Sequence, residues 1–356
     1  MKVEAKGGGI DKSLLLGILF LLTFSTIALK SIAPSLFPSY FLYFVIGAVV
    51  FILFASIDFE VISLFSPHLY VFSIVLLVIN LIIGQVTRGA VRWIPLGPIS
   101  IQPAEIVRPF LILFFANYLT KESLNLKRLM TALLLLLVPV LLITIQPSLG
   151  VAILTLVSFF GVLLSSGVNK KYIIAGIGII LVALPIIWQV MAPYQRGRVD
   201  SFLNPEIDPL GAGYNSIQSM ISVGSGKLTG VGLGKGVQTQ LAFLPEKHTD
   251  FIFASVSEEL GFVGASLLIL GVFFILWRLT SFMKNPINPA GRAYLAGAFL
   301  VLFVQTIVNI GMNLGLLPIT GLPLPLVSAG GSSLIATMIM LGIAGRATSK
   351  NTSNIL

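Results

Sequence analysis

Long, unbroken apolar runs occupy most of this 356-residue chain and constrain its fold more than any other feature. They match the length that a helix needs to cross a bilayer core, and they do not alternate as the strands of a membrane barrel do. Charged residues make up only 10% of the sequence, against about a quarter in a soluble domain. The runs lie near residues 14–30, 40–57, 69–84, 104–119, 130–146, 149–166, 172–192, 251–279, 292–316 and 330–345. We therefore predict an all-α integral membrane protein with about ten transmembrane helices, forming a single polytopic domain over residues 1–356.

The residue types that the chain lacks exclude several kinds of chemistry. There is no Cys, which excludes disulfides, thiolate nucleophiles and Cys-ligated metals. His68 and His248 are the only histidines, so the chain cannot build a multi-His metal site. Carboxylates could still hold a hard divalent cation such as Mg or Mn. The net charge of +9 comes from basic residues scattered over short loops, which is typical of topology control rather than of nucleic-acid binding.

The distribution of Lys and Arg predicts the orientation. Loops on one side hold most of the basic residues, and the short loops on the other side hold few beyond Lys30, Arg88 and Arg92. The positive-inside rule then places both termini in the cytoplasm. The polar N-terminus leads into the first apolar run without a clear cleavage site, so we interpret that run as a retained helix. On this topology, residues 193–250 form a long extracytoplasmic loop between the seventh and eighth predicted spans, which are the apolar runs at 172–192 and 251–279.

That long loop is rich in glycine between Gly211 and Gly236. Glycine-rich loops can cradle phosphate, but here no strand precedes the glycines and no Gly-Lys-Ser/Thr motif follows them. We expect tight turns and a re-entrant or surface-lying segment instead. Residues Tyr214 to Val223 could form an amphipathic helix on the outer leaflet.

A cluster of polar residues and proline, Pro245–Asp250, stands at the mouth of the next apolar run, and Glu258 and Glu259 interrupt that run. Carboxylates at the edge of a bilayer usually pair, line a watery cavity or take part in chemistry. The plain alternative is a capping loop, with Thr249 or Asp250 as the N-cap of the helix. If Asp250 opens the helix, Glu258 lies about 80° around the axis and lines the same cavity, whereas Glu259 pairs within the bundle.

Two further outer segments carry polar residues. Arg92 stands beside a tryptophan and serves either as an interfacial anchor or as a contact for a phosphate group. Glu105 and Arg108 follow at an i,i+3 spacing, which lets them pair on one helix face. That pair is either a structural ion pair or a direct substrate contact. Near the C-terminus three prolines interrupt the helix before Gly330–Ser333. This segment either holds an anion through its free N–H groups or is a Pro/Gly turn with serine caps.

Taken together, these motifs resemble the SEDS family of shape, elongation, division and sporulation proteins. The resemblance covers nearly all of the chain from the third helix onward, and QTQL at 238–241 favours the family's elongation member over its division member. The segments that carry it are WIPLGPISIQPAEI at 93–106, PEKHTDFIF at 245–253, EELG at 258–261, and Asn309, Gly315, Pro318, Gly321, Ser328, Gly330, Gly331 and Ser332.

The resemblance implies a peptidoglycan glycosyltransferase that polymerises lipid II at the outer face of the bacterial cytoplasmic membrane, for cell elongation and rod shape. It also implies a partner, a class B penicillin-binding protein with a single membrane span, and other elongation machinery. The family's essential aspartate falls on Asp250. Three positions depart from the family pattern. Ser148 replaces its usual Asp, and Ala104 and Arg108 replace its usual Ser and Lys, so that a charge remains without a titratable amine.

Sugar transfer from a lipid pyrophosphate needs a base for the acceptor hydroxyl and positive charge for the leaving group. We predict Asp250 as the base, with His248 as a weaker candidate. The pyrophosphate could be held by a divalent cation or by Arg92, Arg196, Arg198 and Lys247. Further substrate contacts are predicted at Gln102, Glu105, Arg108, His248, Glu258, Ser328 and Ser332. We expect these residues to meet in a groove near Asp250 that opens to the lipid.

Two other classes of protein compete with the enzyme. A lipid II flippase or other transporter would show repeated halves and midplane charges on broken helices, whereas the sharpest charge cluster here lies at the outer rim. A structural scaffold would not need Asp250. For the partner's span, we expect docking on the small residues of the last two helices, namely Gly291, Ala293, Ala296, Gly297 and Ala298.

Overall fold

The computed structural model describes residues 10–87, 90–191, 193–204 and 213–348. Within these ranges it is a bundle of α-helices with one small antiparallel sheet. The helices are α1 (Lys12–Ile32), α2 (Phe37–Ser56), α3 (Phe59–Leu64), α4 (Ser66–Ile83), α5 (Pro103–Ile106), α6 (Arg108–Thr120), α7 (Leu126–Ile145), α8 (Leu149–Ser165), α9 (Lys170–Val190), α10 (Pro193–Leu203), α11 (Tyr214–Ser225), α12 (Val237–Gln240), α13 (Ile252–Lys284), α14 (Pro289–Asn313) and α15 (Gly331–Arg346). The strands are β1 (Gln85–Thr87), β2 (Ala90–Leu96) and β3 (Ile99–Ile101).

Each apolar run of the sequence coincides with a helix, or with the pair α5 and α6 for the run at 104–119. By length and composition, six of the described helices can cross a membrane, and two further apolar helices are shorter. The six are α1, α2 with the turn before it, α4, α7, α13 and α14, and the shorter ones are α8 and α15. The prediction of a helical membrane protein is therefore confirmed, whereas the number of spans stays a prediction.

The sequence analysis did not predict the small sheet. β2 pairs antiparallel with both β1 and β3, and Gly97, with φ at 67°, lies in the turn between β2 and β3. Tyr43 on α2 holds β3 in place. Its hydroxyl accepts a hydrogen bond from Ser100 N and donates one to Ser100 O, each at 2.7 Å. The segment that carries Arg92 is therefore a folded element attached to the helices.

Small residues on α14 let the bundle pack closely. A Cβ on Gly161 of α8 would lie 2.7 Å from Ala296 O, and one on Gly297 would lie 2.8 Å from Val162. Ala293 and Gly297 are buried, and α14 packs on α6 and α8. The expectation that this face receives a partner's span is wrong, because helices of the same chain already occupy it.

Helix α13 is broken near the end that is closer to Asp250. Gly261 takes φ 64° and ψ −161°, which interrupts the helical hydrogen bonds on either side of it. Residues 226–232, which we call the strap, run alongside the break and replace the missing bonds. The replacement bonds are Val231 N to Glu258 O and Gly232 N to Glu259 O at 3.0 Å, Phe262 N to Lys227 O at 2.9 Å, and Val263 N to Leu228 O at 3.1 Å.

Glycines make this close approach of two backbones possible. A Cβ on Gly226 would overlap Ser257 O, and a Cβ on Gly230 would overlap Glu259 O. The sequence analysis expected these glycines to serve tight turns, and the positive φ angles of Gly230, Gly232 and Gly234 agree with that, whereas the close packing on α13 was not predicted. The predicted amphipathic helix is also present as α11, but its serine face is buried. Ser219 Oγ, for example, donates to the carbonyl of Asn313 at 2.9 Å.

We predict that Gly230→Ala destabilises the protein. Gly230 has φ at +80°, and the added methyl group would overlap Glu259 O. Strain of this kind costs about 1–3 kcal/mol, and the lost pairing of the strap adds to it. The midpoint of thermal unfolding in detergent should fall accordingly. The control is Gly224→Ala on α11, where the new Cβ has nothing within 4 Å and alanine favours the helix, so that its midpoint should not fall below the parent's. Equal midpoints for the two variants would contradict this account of the strap.

Candidate active site

A cavity of about 360 Å³ lies at the end of the bundle where α13 begins. Five of the predicted site residues line it, namely Arg92, Gln102, Glu105, Arg198 and Asp250. The segment that carries Arg92, the long loop, the Pro-rich turn and the turn between α7 and α8 all contribute walls. Apolar walls come from Trp93, Leu149, Val151, Ile153, Ile319 and Leu322. The cavity therefore combines apolar walls with charged groups of both signs.

Asp250 is positioned through its own backbone. The side-chain amides of Asn309 and Asn313 on α14 each donate a hydrogen bond to the Asp250 carbonyl at 3.0 Å. Asn313 also accepts one from Ala254 N at 2.9 Å, which ties it to the first turn of α13. The capping alternative is wrong, because the N-cap of α13 is Phe251 and no side chain caps that helix. The Asp250 side chain instead lines the cavity.

The residues before Asp250 are fastened to the Pro-rich turn. Ser328 Oγ donates to Thr249 O at 2.7 Å and accepts from Leu324 N at 2.8 Å, and Ala329 N donates to His248 O at 2.8 Å. Neither Ser328 nor His248 lines the cavity. The structure thus gives Ser328 a fastening role in place of the predicted substrate contact. Thr249, which the sequence analysis considered only as a cap, does line the cavity.

Two of the four predicted cations reach the cavity. Arg92 comes from β2, and Arg198 comes from α10 and donates to the carbonyl of Ile319 at 3.1 Å. A methyl group added at Gly321 would lie 3.6 Å from Asp250 Oδ2 and 4.0 Å from Arg198 Nη1. The carboxylate and this guanidinium therefore flank the same glycine. Arg196 lies outside the cavity lining and donates to the carbonyl of Gln189.

Lys247 also points away from the cavity. Its ammonium donates to the carbonyl of Thr239 on α12. Burial lowers the pKa of Lys247, and the nearby carboxylates of Glu259 and Glu258 oppose that change. The prediction that Lys247 holds a pyrophosphate is therefore not supported by its position. The side chain instead joins the turn before Asp250 to the loop that folds over α13.

Glu105 and Arg108 form the ion pair that their spacing predicts. Glu105 lines the cavity, but Arg108 is 4% exposed and lies behind it. Arg108 Nη1 donates to Gln305 Oε1 at 3.1 Å, and Gln305 Nε2 donates to Pro323 O at 2.8 Å and to Ser333 Oγ at 3.3 Å. Of the two alternatives for Arg108, the geometry favours the structural ion pair over substrate contact.

Gln102 joins three elements at the cavity. Its backbone N–H donates to Ser332 Oγ at 2.7 Å, and its side-chain amide donates to Ser148 Oγ at 3.2 Å. Ser332 is buried behind the lining and acts as a fastening group, whereas Ser333 and Gly330 line the cavity. Ser148 lines the cavity as a neutral hydroxyl, at the position where the resemblance implied an aspartate.

Glu258 does not line the cavity, and this prediction is wrong. Its carboxylate accepts hydrogen bonds from Gln238 N at 2.8 Å, from Thr239 N at 3.0 Å and from the Thr239 hydroxyl. Glu259 pairs within the bundle, as predicted, by accepting from Ser31 Oγ at 2.6 Å and from Gln240 Nε2 at 2.9 Å. The two carboxylates hold α12 and the loop after the strap against α1 and α13.

Among the described residues there is no group of three or more Asp, Glu or His side chains that could hold a metal ion. A divalent cation at this cavity would therefore take ligands from a bound phosphate as well as from Asp250 or Glu105.

The sequence analysis did not identify a polar stripe on α14. Gln305, Asn309 and Asn313 recur every fourth residue and so share one helix face, which is the signal that could have revealed them.

The fold and the site together define a class, a polytopic helical membrane protein in which one cavity joins a carboxylate to two guanidinium groups. Residues 10–353 match the family model of the FtsW, RodA and SpoVE proteins, described as cell cycle proteins. The chain belongs to this family, which is the SEDS family that the sequence resembles. It is accordingly a multi-pass protein of the bacterial inner membrane.

Relatives and solved structures agree with this assignment. The peptidoglycan glycosyltransferase MrdB of Escherichia coli (strain K12) is 41% identical over 342 residues, covering 94% of this chain and 92% of MrdB. A chain from a peptidoglycan synthase complex, described as coordinating polymerization and crosslinking, is 30% identical with a TM-score of 0.83, covering 95% of this chain and 97% of that chain. The rod shape determining protein RodA of Thermus thermophilus is 28% identical with a TM-score of 0.72, covering 95% of this chain and 96% of RodA.

We predict that Glu258→Gln loosens α12. Glutamine keeps the shape but presents an amide where the backbone N–H groups of Gln238 and Thr239 need a charged acceptor. A hydrogen bond to a charged group contributes about 1.5–3 kcal/mol, so amide exchange at these two positions should become roughly 10- to 100-fold faster. Hydrogen–deuterium exchange in detergent measures this. Glu122→Gln is the matched control, because its ion pair with Arg128 is exposed and distant. Unchanged exchange at α12 in Glu258→Gln would show that this carboxylate does not hold α12.

Proposed function

We propose that this chain is a peptidoglycan glycosyltransferase that polymerises lipid II at the outer face of the cytoplasmic membrane during cell elongation. The observation that supports this most directly is that Asp250 shares a cavity with Arg92 and Arg198. A carboxylate can take a proton, and guanidinium groups recognise the oxygens of a pyrophosphate. The names of the relatives point to the same reaction.

The chemistry follows from these groups. The acceptor's hydroxyl oxygen forms a new bond to the anomeric carbon of the donor sugar, while the bond from that carbon to the pyrophosphate oxygen breaks. Asp250 takes the hydroxyl proton as the new bond forms. Arg92 and Arg198 stabilise the negative charge that develops on the departing lipid pyrophosphate. Gln102, Thr249 and Ser333 offer hydrogen bonds to sugar hydroxyls, and the apolar walls accept the lipid next to the head group.

A lipid II flippase is the competing function, and the break in α13 is the feature that favours it. Transporters of that kind place their site at a helix break near the middle of the membrane. In this chain the break in α13 is filled by the strap, and the charged cavity lies at the end of the bundle. The transferase therefore accounts for more of the geometry than a transporter does.

The proposal includes a partner. A class B penicillin-binding protein with a single membrane span would cross-link the strands that this chain makes, together with the rest of the elongation machinery. The related synthase complex, described as coordinating polymerization and crosslinking, supports such a pairing. The partner's span would dock on a face other than the buried small-residue face of α14.

The distribution of Lys and Arg predicts that both termini are cytoplasmic and that residues 193–250 lie outside. Single cysteines at Ser201 and Ser349 test this, because the chain has no cysteine of its own. An impermeant thiol reagent applied to intact cells should label position 201 and leave position 349 unmodified. Permeabilised cells should label both positions. The reverse pattern in intact cells would overturn the orientation.

We predict that Asp250→Asn abolishes most polymerisation of lipid II. Asparagine keeps the shape and removes the basic site, so the rate should fall by about two to four orders of magnitude, the usual contribution of a general base. Binding of lipid II should change little, since the arginines remain. Asp250→Glu should keep part of the activity. The control is Asp200→Asn on α10, an exposed carboxylate that should leave the rate unchanged. An Asp250→Asn protein that polymerises at the parent's rate would exclude the catalytic role.

A further inference from the structure

We propose that the tip of the strap, centred on Leu228, is inserted into the lipid leaflet on the Asp250 side of the membrane. Leu228 is 71% exposed, although it lies within a loop that is otherwise fastened to the bundle. Its carbonyl accepts the hydrogen bond from Val263 N, so its backbone lies directly beside the upper part of α13. This contact brings an exposed leucine next to a transmembrane helix.

The part of α13 beside the strap tip faces lipid. Residues Ile252–Glu259 are buried, whereas Phe262 is 66% exposed directly after the break. Val263 and Leu270 are also exposed, and the exposed apolar side chains continue to Trp277. An exposed apolar flank on a membrane helix contacts acyl chains. Leu228 continues this flank across the hydrogen bonds of the strap.

The depth of the contact agrees with insertion. Arg278 is buried and pairs with Asp11 at the N-terminus of α1, which marks the opposite face of the membrane. Fifteen residues separate Val263 from Arg278 along the helix, a rise of about 22 Å. The hydrocarbon core is about 30 Å thick, so Val263 and Leu228 lie within it.

The backbone of the strap tolerates this position. An irregular segment can enter a membrane only if its polar groups are paired inside the protein. The carbonyls of Lys227 and Leu228 and the N–H groups of Val231 and Gly232 all bond to α13. Exposed Lys227 and Lys235 flank the apolar tip, and long basic side chains can extend from such a position to anionic head groups.

Fluorescence quenching of single-cysteine variants tests the insertion. The chain has no cysteine, so Leu228→Cys can be labelled with a thiol-reactive fluorophore. The labelled protein is reconstituted into nanodiscs of phosphatidylethanolamine and phosphatidylglycerol that contain nitroxide-labelled lipid. Leu16→Cys on α1, 65% exposed, is the control for lipid contact, and Asp200→Cys on α10 is the control for water.

The label at Leu228 should be quenched by lipid nitroxides at least half as strongly as the label at Leu16, and more strongly by a shallow nitroxide than by a deep one. Iodide in the water should quench it several-fold less than it quenches the label at Asp200. Quenching like that of Asp200 would overturn the proposal and place the strap in water. Protection from both quenchers would also overturn it, because protein would then cover the tip. Val231→Cys provides a second test if Leu228→Cys does not give a monodisperse protein.

Discussion

Every backbone polar group at membrane depth needs a partner inside the protein, and the exchange of hydrogen bonds between the strap and α13 meets that requirement. Gly261 breaks the helix, and the strap supplies the donors and acceptors that the break leaves open. Helix α12 follows the strap in the chain, and Glu258 of α13 holds it against that same helix. Lys247 then joins α12 to the turn that ends in Asp250. The position of the proposed catalytic carboxylate thus depends on a helix that is interrupted close to it.

The cavity is held together by groups that are far apart in sequence. Asn309 and Asn313 fix the Asp250 carbonyl from α14, and Ser328 fixes the preceding residue from the Pro-rich turn. Glu105 lines the cavity with its charge neutralised by Arg108 behind it, and Gln305 holds Arg108 in place. These hydrogen bonds and the buried ion pair restrict the side chains that take part in them. The charged groups on the cavity surface can therefore be placed without further movement of the bundle.

Local signals predicted the parts of this protein that depend on local physics. Apolar runs predicted the helices, and the i,i+3 spacing predicted the pairing of Glu105 with Arg108. The prediction for Glu258 failed because a helical wheel gives a direction but not the neighbour in that direction, and that neighbour is a loop some twenty residues earlier in the chain. The substrate contacts at Ser328 and Ser332 stay predictions, although neither side chain lines the cavity. Their hydroxyls are used by backbone groups that no short motif identifies.

The exchange of bonds between the strap and α13 also has a consequence for biosynthesis. The strap is made before α13, so its partners do not yet exist when it emerges from the ribosome. Until α13 has been integrated, the strap's donors and acceptors must remain hydrated, because a bilayer offers them nothing. The cavity near Asp250 can therefore form only late in insertion, and a half-made chain carries no assembled site.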